Sequence, residues 1–137
     1  MKKTATIIPI CIILFILGSC SKKISFGSSP IVPGATGKVT VKKDNNNNYY
    51  LVVNTVNLTP SKNLTPARDV YVVWMEGADN SLKNLGQIKP STGFLSKAYK
   101  GELKATTLTK PRRVFITAEN DANIEQPGNS LVLSTDD

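Results

Sequence analysis

Cys20 is the residue whose neighbours most specifically predict chemistry in this sequence. It is preceded by the small residues Gly18 and Ser19 and, three positions upstream, by the branched residue Leu17. Small side chains leave the peptide bond before the cysteine open to a peptidase, and a thiol is a nucleophile that can accept a diacylglyceryl group. The spacing therefore predicts cleavage between Ser19 and Cys20 and lipidation of Cys20.

The segment before Cys20 has the organisation of an export signal. Lys2 and Lys3 are followed by an apolar run from Ala5 to Leu17, which is the length of a signal-peptide core and shorter than the roughly 20 residues that cross a bilayer. With Cys20, this segment resembles the lipobox of bacterial lipoproteins. The alternatives are an uncleaved membrane anchor and an ordinary cleaved signal with an incidental cysteine. The second cysteine, Cys11, lies inside the apolar run, so we expect no disulfide in the mature chain.

Catalytic and metal-binding patterns are weak elsewhere in the sequence. The chain has no histidine, which removes the commonest general base and zinc ligand. No spacing selects a pair of facing carboxylates. Glu119, Asn120, Asp121 and Asn123 could offer oxygens to calcium, but they lack EF-hand spacing and are typical of a polar loop. We therefore expect no enzymatic activity, no metal and no cofactor.

Two aromatic residues are candidates for either packing or ligand contact. Tyr71 and Trp74 lie in the most apolar segment of the chain, Val70 to Met75. We expect Trp74 to pack in the core between two sheets, whereas an exposed Trp74 would offer a stacking surface to a glycan.

The positive charge is concentrated near Cys20. The full chain has a formal charge of +7, and removal of the two signal-peptide lysines leaves +5. Residues 44–137 contain equal numbers of basic and acidic side chains, so the excess lies within residues 20–43. This distribution indicates a solvated tether or attraction to anionic headgroups. Nucleic-acid binding is not expected, because a basic stripe with interleaved aromatics is missing from the folded body.

The pattern of short apolar segments predicts an all-β domain. Seven strands, separated by turn residues at intervals of 8 to 15 residues, favour a small antiparallel immunoglobulin-like β-sandwich, with a small closed barrel as the alternative. The fifth strand is expected to bend near Gly101. The predicted strands are 38–42, 49–58, 70–75, 85–89, 94–108, 113–118 and 130–134. The predicted organisation is a lipoprotein signal peptide (1–19), a lipidated N-terminus with a flexible tether (20–36) and the sandwich (37–137).

Four short features of the sandwich region form a recognisable pattern: Tyr71-x-x-Trp74, the turn at Leu85-Gly86, the stretch 116–119 and the closing segment 127–133. With these features the region resembles the periplasmic domain of the RskA-type anti-sigma-K factors. The resemblance implies an envelope sandwich used for sensing or interaction, and it transfers no catalytic residue. Anti-sigma factors of this type carry a sigma-binding segment and a transmembrane helix before this domain, so the resemblance does not extend to sigma-factor binding.

Together these observations predict a non-catalytic, lipid-anchored cell-envelope protein. We expect Cys20 to hold it in the membrane on the periplasmic side, and Ser21 after the cysteine favours the outer membrane. The sandwich is expected to contact another envelope protein. The alternative function is that of a lipoprotein that binds a glycan or a small molecule, with Trp74 or tyrosines exposed.

Overall fold

The computed structural model describes residues 20–135 and contains nine β-strands. The predicted signal peptide 1–19, including Ser19, lies outside the described residues. The strands are β1 (Ser21–Ser25), β2 (Thr36–Lys43), β3 (Tyr49–Val56), β4 (Val70–Gly77), β5 (Leu82–Ile88), β6 (Ser91–Thr92), β7 (Tyr99–Thr107), β8 (Pro111–Glu119) and β9 (Leu131–Ser134). A single 3-10 turn, Ser61–Asn63, lies between β3 and β4.

The strands form two antiparallel sheets that pack as a sandwich. The five-stranded sheet has the order β1-β2-β3-β7-β6, and the four-stranded sheet has the order β5-β4-β8-β9. Without β1, these orders correspond to the strand arrangement A-B-E-D and C′-C-F-G of immunoglobulin-like domains. The predicted fold class, a small all-β sandwich, is confirmed.

All seven predicted strands are present, and the structure adds β1 and β6. The fifth predicted strand was expected to begin at Phe94, but β7 begins at Tyr99 because residues 93–98 form the loop between β6 and β7. The predicted bend near Gly101 was wrong, since β7 pairs with β3 in unbroken register from Lys100 to Thr107. Gly101 instead provides space: a Cβ there would lie 2.8 Å from the Thr55 hydroxyl.

The segment predicted to be a flexible tether is part of the sandwich, so that prediction was wrong. All five residues of β1 pair with β2, from Ser21 opposite Lys42 to Ser25 opposite Lys38. Phe26, Val32 and Ala35 are buried. The polar composition was misleading because β1 is an edge strand, where exposed polar and charged residues are normal.

The same segment joins the edges of the two sheets. After β1, Phe26 forms a bridge with Thr135, and the Gly27 N–H donates to the Ser134 carbonyl at 2.9 Å. The chain thus crosses from the outer strand of one sheet to β9 of the other. The bridge links the two sheets at this edge, although they remain two separate hydrogen-bonded sheets.

The main core lies between the sheets and follows from strand alternation. Side chains two residues apart face the same side of a strand, so Leu51 and Val53 on β3 meet Tyr71, Val73 and Met75 on β4. All five are at most 1% exposed. β4 lies between β5 and β8 and is buried on both faces, as its continuous apolar sequence predicted.

Candidate functional site

Cys20 is exposed and lies immediately before the first residue of β1. Its neighbour Ser21 pairs with Lys42 of β2. Cys20 is therefore only one residue away from the paired part of the sandwich. Within residues 20–135 Cys20 forms no disulfide.

An apolar hollow of about 190 Å³ opens beside Cys20, between the ends of the two sheets. Its floor consists of Ile24, Val41 and Tyr49, which are all half-buried. Val41 and Tyr49 also pack against the main core. We call this feature the Cys20 hollow; the sequence analysis missed it, because β1 was interpreted as a tether.

Basic side chains surround the Cys20 hollow. The four exposed cations that line it are Lys22, Lys43, Lys110 and Arg112, and none of its lining residues is acidic. Lys22 and Lys43 lie two residues from Ile24 and Val41 on the same strand faces. The Arg112 guanidinium also donates hydrogen bonds to Glu76 at 3.1 Å and to Asn80 at 3.0 Å.

Trp74 is a packing residue, but on the opposite face of β4 from the one predicted. It is fully buried and packs with Val72 and Phe115 in a second, smaller cluster outside the inter-sheet core. Its indole N–H donates to the Thr117 hydroxyl at 2.8 Å. Ile124, from the loop between β8 and β9, packs against this cluster. The prediction that Trp74 is buried is confirmed, and its predicted place between the sheets is wrong.

Tyr71 faces the main core and is 1% exposed. Its hydroxyl donates a hydrogen bond to the Thr59 carbonyl at 2.6 Å. Burial disfavours the tyrosinate and raises the pKa of Tyr71 to about 12. Neither Tyr71 nor Trp74 offers a ring face to a ligand, so the residues proposed for glycan contact act in packing.

Hydrogen bonds from neighbouring strands hold the loop between β8 and β9 against the Trp74 cluster. The buried Glu119 carboxylate accepts a hydrogen bond from the Gly128 N–H at 2.7 Å, and Asn84 of β5 donates to the carbonyls of Ala122 and Ile124. Within residues 20–135, no three or more acidic or cysteine side chains are grouped as metal ligands. Residues 120–130 connect β8 to β9.

A second exposed feature lies on the loop between β6 and β7. Phe94 is 101% and Leu95 is 93% exposed, the two highest values among the large apolar residues described. We call this pair the apolar tip. The predicted strand 94–108 included this pair, although Gly93 before it and Ser96-Lys97 after it break the alternating pattern that a strand requires.

The apolar tip and Cys20 lie at opposite ends of the sandwich. Ser21, Lys42 and Thr107 mark one end of the five-stranded sheet, while Val56 and Lys100 mark the other. The hairpin of β6 and β7 extends beyond Lys100 to the tip. An eight-residue strand spans about 26 Å, so the sandwich separates its two exposed features by at least that order of distance.

Comparisons with protein-family models, with curated proteins and with solved structures return no match to this chain. Among residues 20–135 there is no helix long and apolar enough to cross a membrane.

Proposed function

We propose that this chain is a non-catalytic, lipid-anchored protein of the bacterial cell envelope whose β-sandwich acts as an interaction or sensing module. Lipid on Cys20 would hold it on the periplasmic side of a membrane, with the outer membrane favoured. The lipobox-like sequence before Cys20 and the resemblance of residues 37–135 to an anti-sigma-factor periplasmic domain both support this proposal.

The observation that carries the interaction role is the position of the apolar tip. Phe94 and Leu95 are adjacent, almost fully exposed and located at the end of the sandwich away from Cys20. Exposure of apolar groups to water is unfavourable. When a partner covers them, the free energy falls by about 25 cal/mol per Å² of buried apolar surface. A protein anchored through Cys20 would present this tip away from its membrane, where an envelope protein partner can reach it.

Site-specific photo-crosslinking in living cells tests this role. A photoreactive amino acid would replace Leu95, and the matched control would place it at Leu108, which is 81% exposed and lies beside Thr107 at the Cys20 end. We expect a discrete crosslinked band from position 95 that is absent from position 108. The band should weaken in Cys20→Ala, which leaves the sandwich intact but unanchored. No band from position 95, or the same bands from both positions, would contradict an interaction through the tip.

A further inference from the structure

Of the four cations around the Cys20 hollow, Arg112 pairs with Glu76, whereas the three lysines have no ion-pair partner within residues 20–135. Lys22, Lys43 and Lys110 form no ion pair with another described residue; the ion pairs in residues 20–135 join Lys104 to Glu102 and two arginines to Glu76. Asp44, the nearest acid in sequence to Lys43, is held inside its own hairpin. Its carboxylate accepts hydrogen bonds from the backbone and side chain of Asn48. The bond from the Asn48 side chain is the largest cause that lowers the pKa of Asp44.

The fold also fixes these cations next to the predicted lipid attachment. Cys20 itself lines the hollow, and only the bond to Ser21 separates it from a paired strand. Acyl chains on Cys20 would therefore bring this end of the sandwich to the level of the headgroups. A long flexible tether would have allowed the cations to remain away from the surface, but residues 21–25 leave no such tether.

We infer that the Cys20 hollow and its three unpaired lysines form a docking surface for anionic phospholipid headgroups. The headgroup phosphates would pair with Lys22, Lys43 and Lys110, and the apolar floor would face the glycerol and upper acyl region. The charge complementarity between these three lysines and an anionic bilayer is the argument for this occupant. The inference deepens the proposed function, on which it rests for the lipid at Cys20, and it orients the sandwich upright with the apolar tip farthest from the bilayer.

Each basic residue close to an anionic membrane surface contributes a factor of about five to binding. Loss of three lysines is then expected to lower the ratio of docked to undocked sandwich by about a hundredfold. Because the contact is electrostatic, 0.5 M salt should weaken it strongly.

The test uses the full chain, purified from the membrane fraction and reconstituted into vesicles of phosphatidylcholine alone or with three tenths phosphatidylglycerol. A fluorescent amino acid at Asn46, in the exposed hairpin at the Cys20 end, reports energy transfer to a headgroup-labelled lipid. A second probe replaces Leu95 at the apolar tip. We expect strong transfer from position 46 in anionic vesicles at low salt, less in neutral vesicles or at high salt, and little from position 95 in either.

Two charge-reversal variants complete the test. The combined variant Lys22→Glu, Lys43→Glu and Lys110→Glu should reduce transfer in anionic vesicles to the neutral-vesicle value. The matched control Lys62→Glu, Lys97→Glu and Lys100→Glu reverses the same number of exposed lysines away from the hollow and should leave transfer unchanged. Equal transfer in both kinds of vesicle, or an equal loss in the control, would overturn the docking surface.

Flotation of the same samples separates this inference from the lipid anchor. A chain that floats with both kinds of vesicle but shows no charge-dependent transfer refutes the docking surface and leaves the anchor standing. A chain that floats only with anionic vesicles supports docking and contradicts the anchor. A chain that floats with neither kind of vesicle contradicts both proposals, because the cations alone should retain it on anionic vesicles at low salt.

Discussion

At the scale of single residues, Tyr71 should make stability sensitive to alkaline pH. Its pKa is about 12 in the folded chain against 10 for an exposed tyrosine, because burial disfavours the charged form. The unfolded chain therefore releases this proton first as pH rises, so the stabilisation present below pH 10 is lost between pH 10 and 12. The loss is on the order of 2 kcal/mol.

The variant Tyr71→Phe isolates that contribution. It should lose about 1 kcal/mol at neutral pH, because the Thr59 carbonyl loses its donor, and the difference from the parent chain should shrink or reverse by pH 12. Urea unfolding of both chains at pH 7, 10 and 12 measures this. Parallel stability curves for the two chains across this range would contradict the assigned role of burial.

Trp74 provides a residue-scale test of the second cluster. A fully buried indole with a hydrogen bond to Thr117 should emit at short wavelength and resist quenching by iodide, until denaturant exposes it. Trp74 is the only tryptophan in the chain, so its emission needs no deconvolution. Iodide quenching as strong in the native protein as in the unfolded one would show that the loop 120–130 does not cover the ring, and would restore the glycan-binding alternative.

At the scale of strands, the account depends on β1 and its continuation being part of the fold. Phe26→Ala removes a buried ring at the bridge to Thr135, and a loss of about 3–5 kcal/mol is expected. The matched control Ser28→Ala changes an exposed side chain in the same segment and should cost less than about 0.5 kcal/mol. Equal urea midpoints for the two variants would mean that the segment behaves as the tether the sequence suggested.

The side chains of Thr55 on β3 and Ile88 on β5 lie so close to Gly101 that a side chain there should not fit. A Cβ at this position would lie 2.8 Å from the Thr55 hydroxyl and 2.9 Å from Ile88, so Gly101→Ala should destabilise by about 1–3 kcal/mol. Gly93→Ala is the control, because nothing lies within 4 Å of its Cβ position. Thermal unfolding distinguishes them, and a Gly101→Ala protein as stable as the control would refute the close packing.

The strands that sequence could predict are those with a clear apolar pattern, and the failures have physical reasons. Alternation identified β2, β3 and β8, and continuous apolar sequence identified β4 as central. Continuous apolar sequence cannot say which face of β4 meets the other sheet, so Trp74 was assigned to the wrong side. β1 was not predicted because four of its five residues are exposed, so the sequence has no apolar alternation there. Backbone pairing with β2, rather than side-chain burial, makes this segment a strand.

At the scale of the whole molecule, the Cys20 hollow and the apolar tip lie at opposite ends of the sandwich. The Cys20 hollow could not be predicted from the sequence because its lining joins residues 20–49 to residues 110–112, which are far apart in the chain. Lipidation of Cys20 stays a prediction, and it rests on a signal that lies in contiguous residues. Under the proposed function, the Cys20 end would face the membrane and the apolar tip would face a partner, about one sandwich length apart.

The most direct test of the central claim, attachment through Cys20, is mass spectrometry of the N-terminal tryptic peptide from the membrane fraction of the native cell. We predict a peptide that begins at Cys20 and ends at Lys22, with a diacylglyceryl group on the sulfur and an acyl group on the amine. Cys11→Ala should leave this peptide unchanged, whereas Cys20→Ala should abolish it and return the protein to an unacylated form. An unmodified Cys20 within a peptide that continues upstream into residues 1–19 would contradict the account.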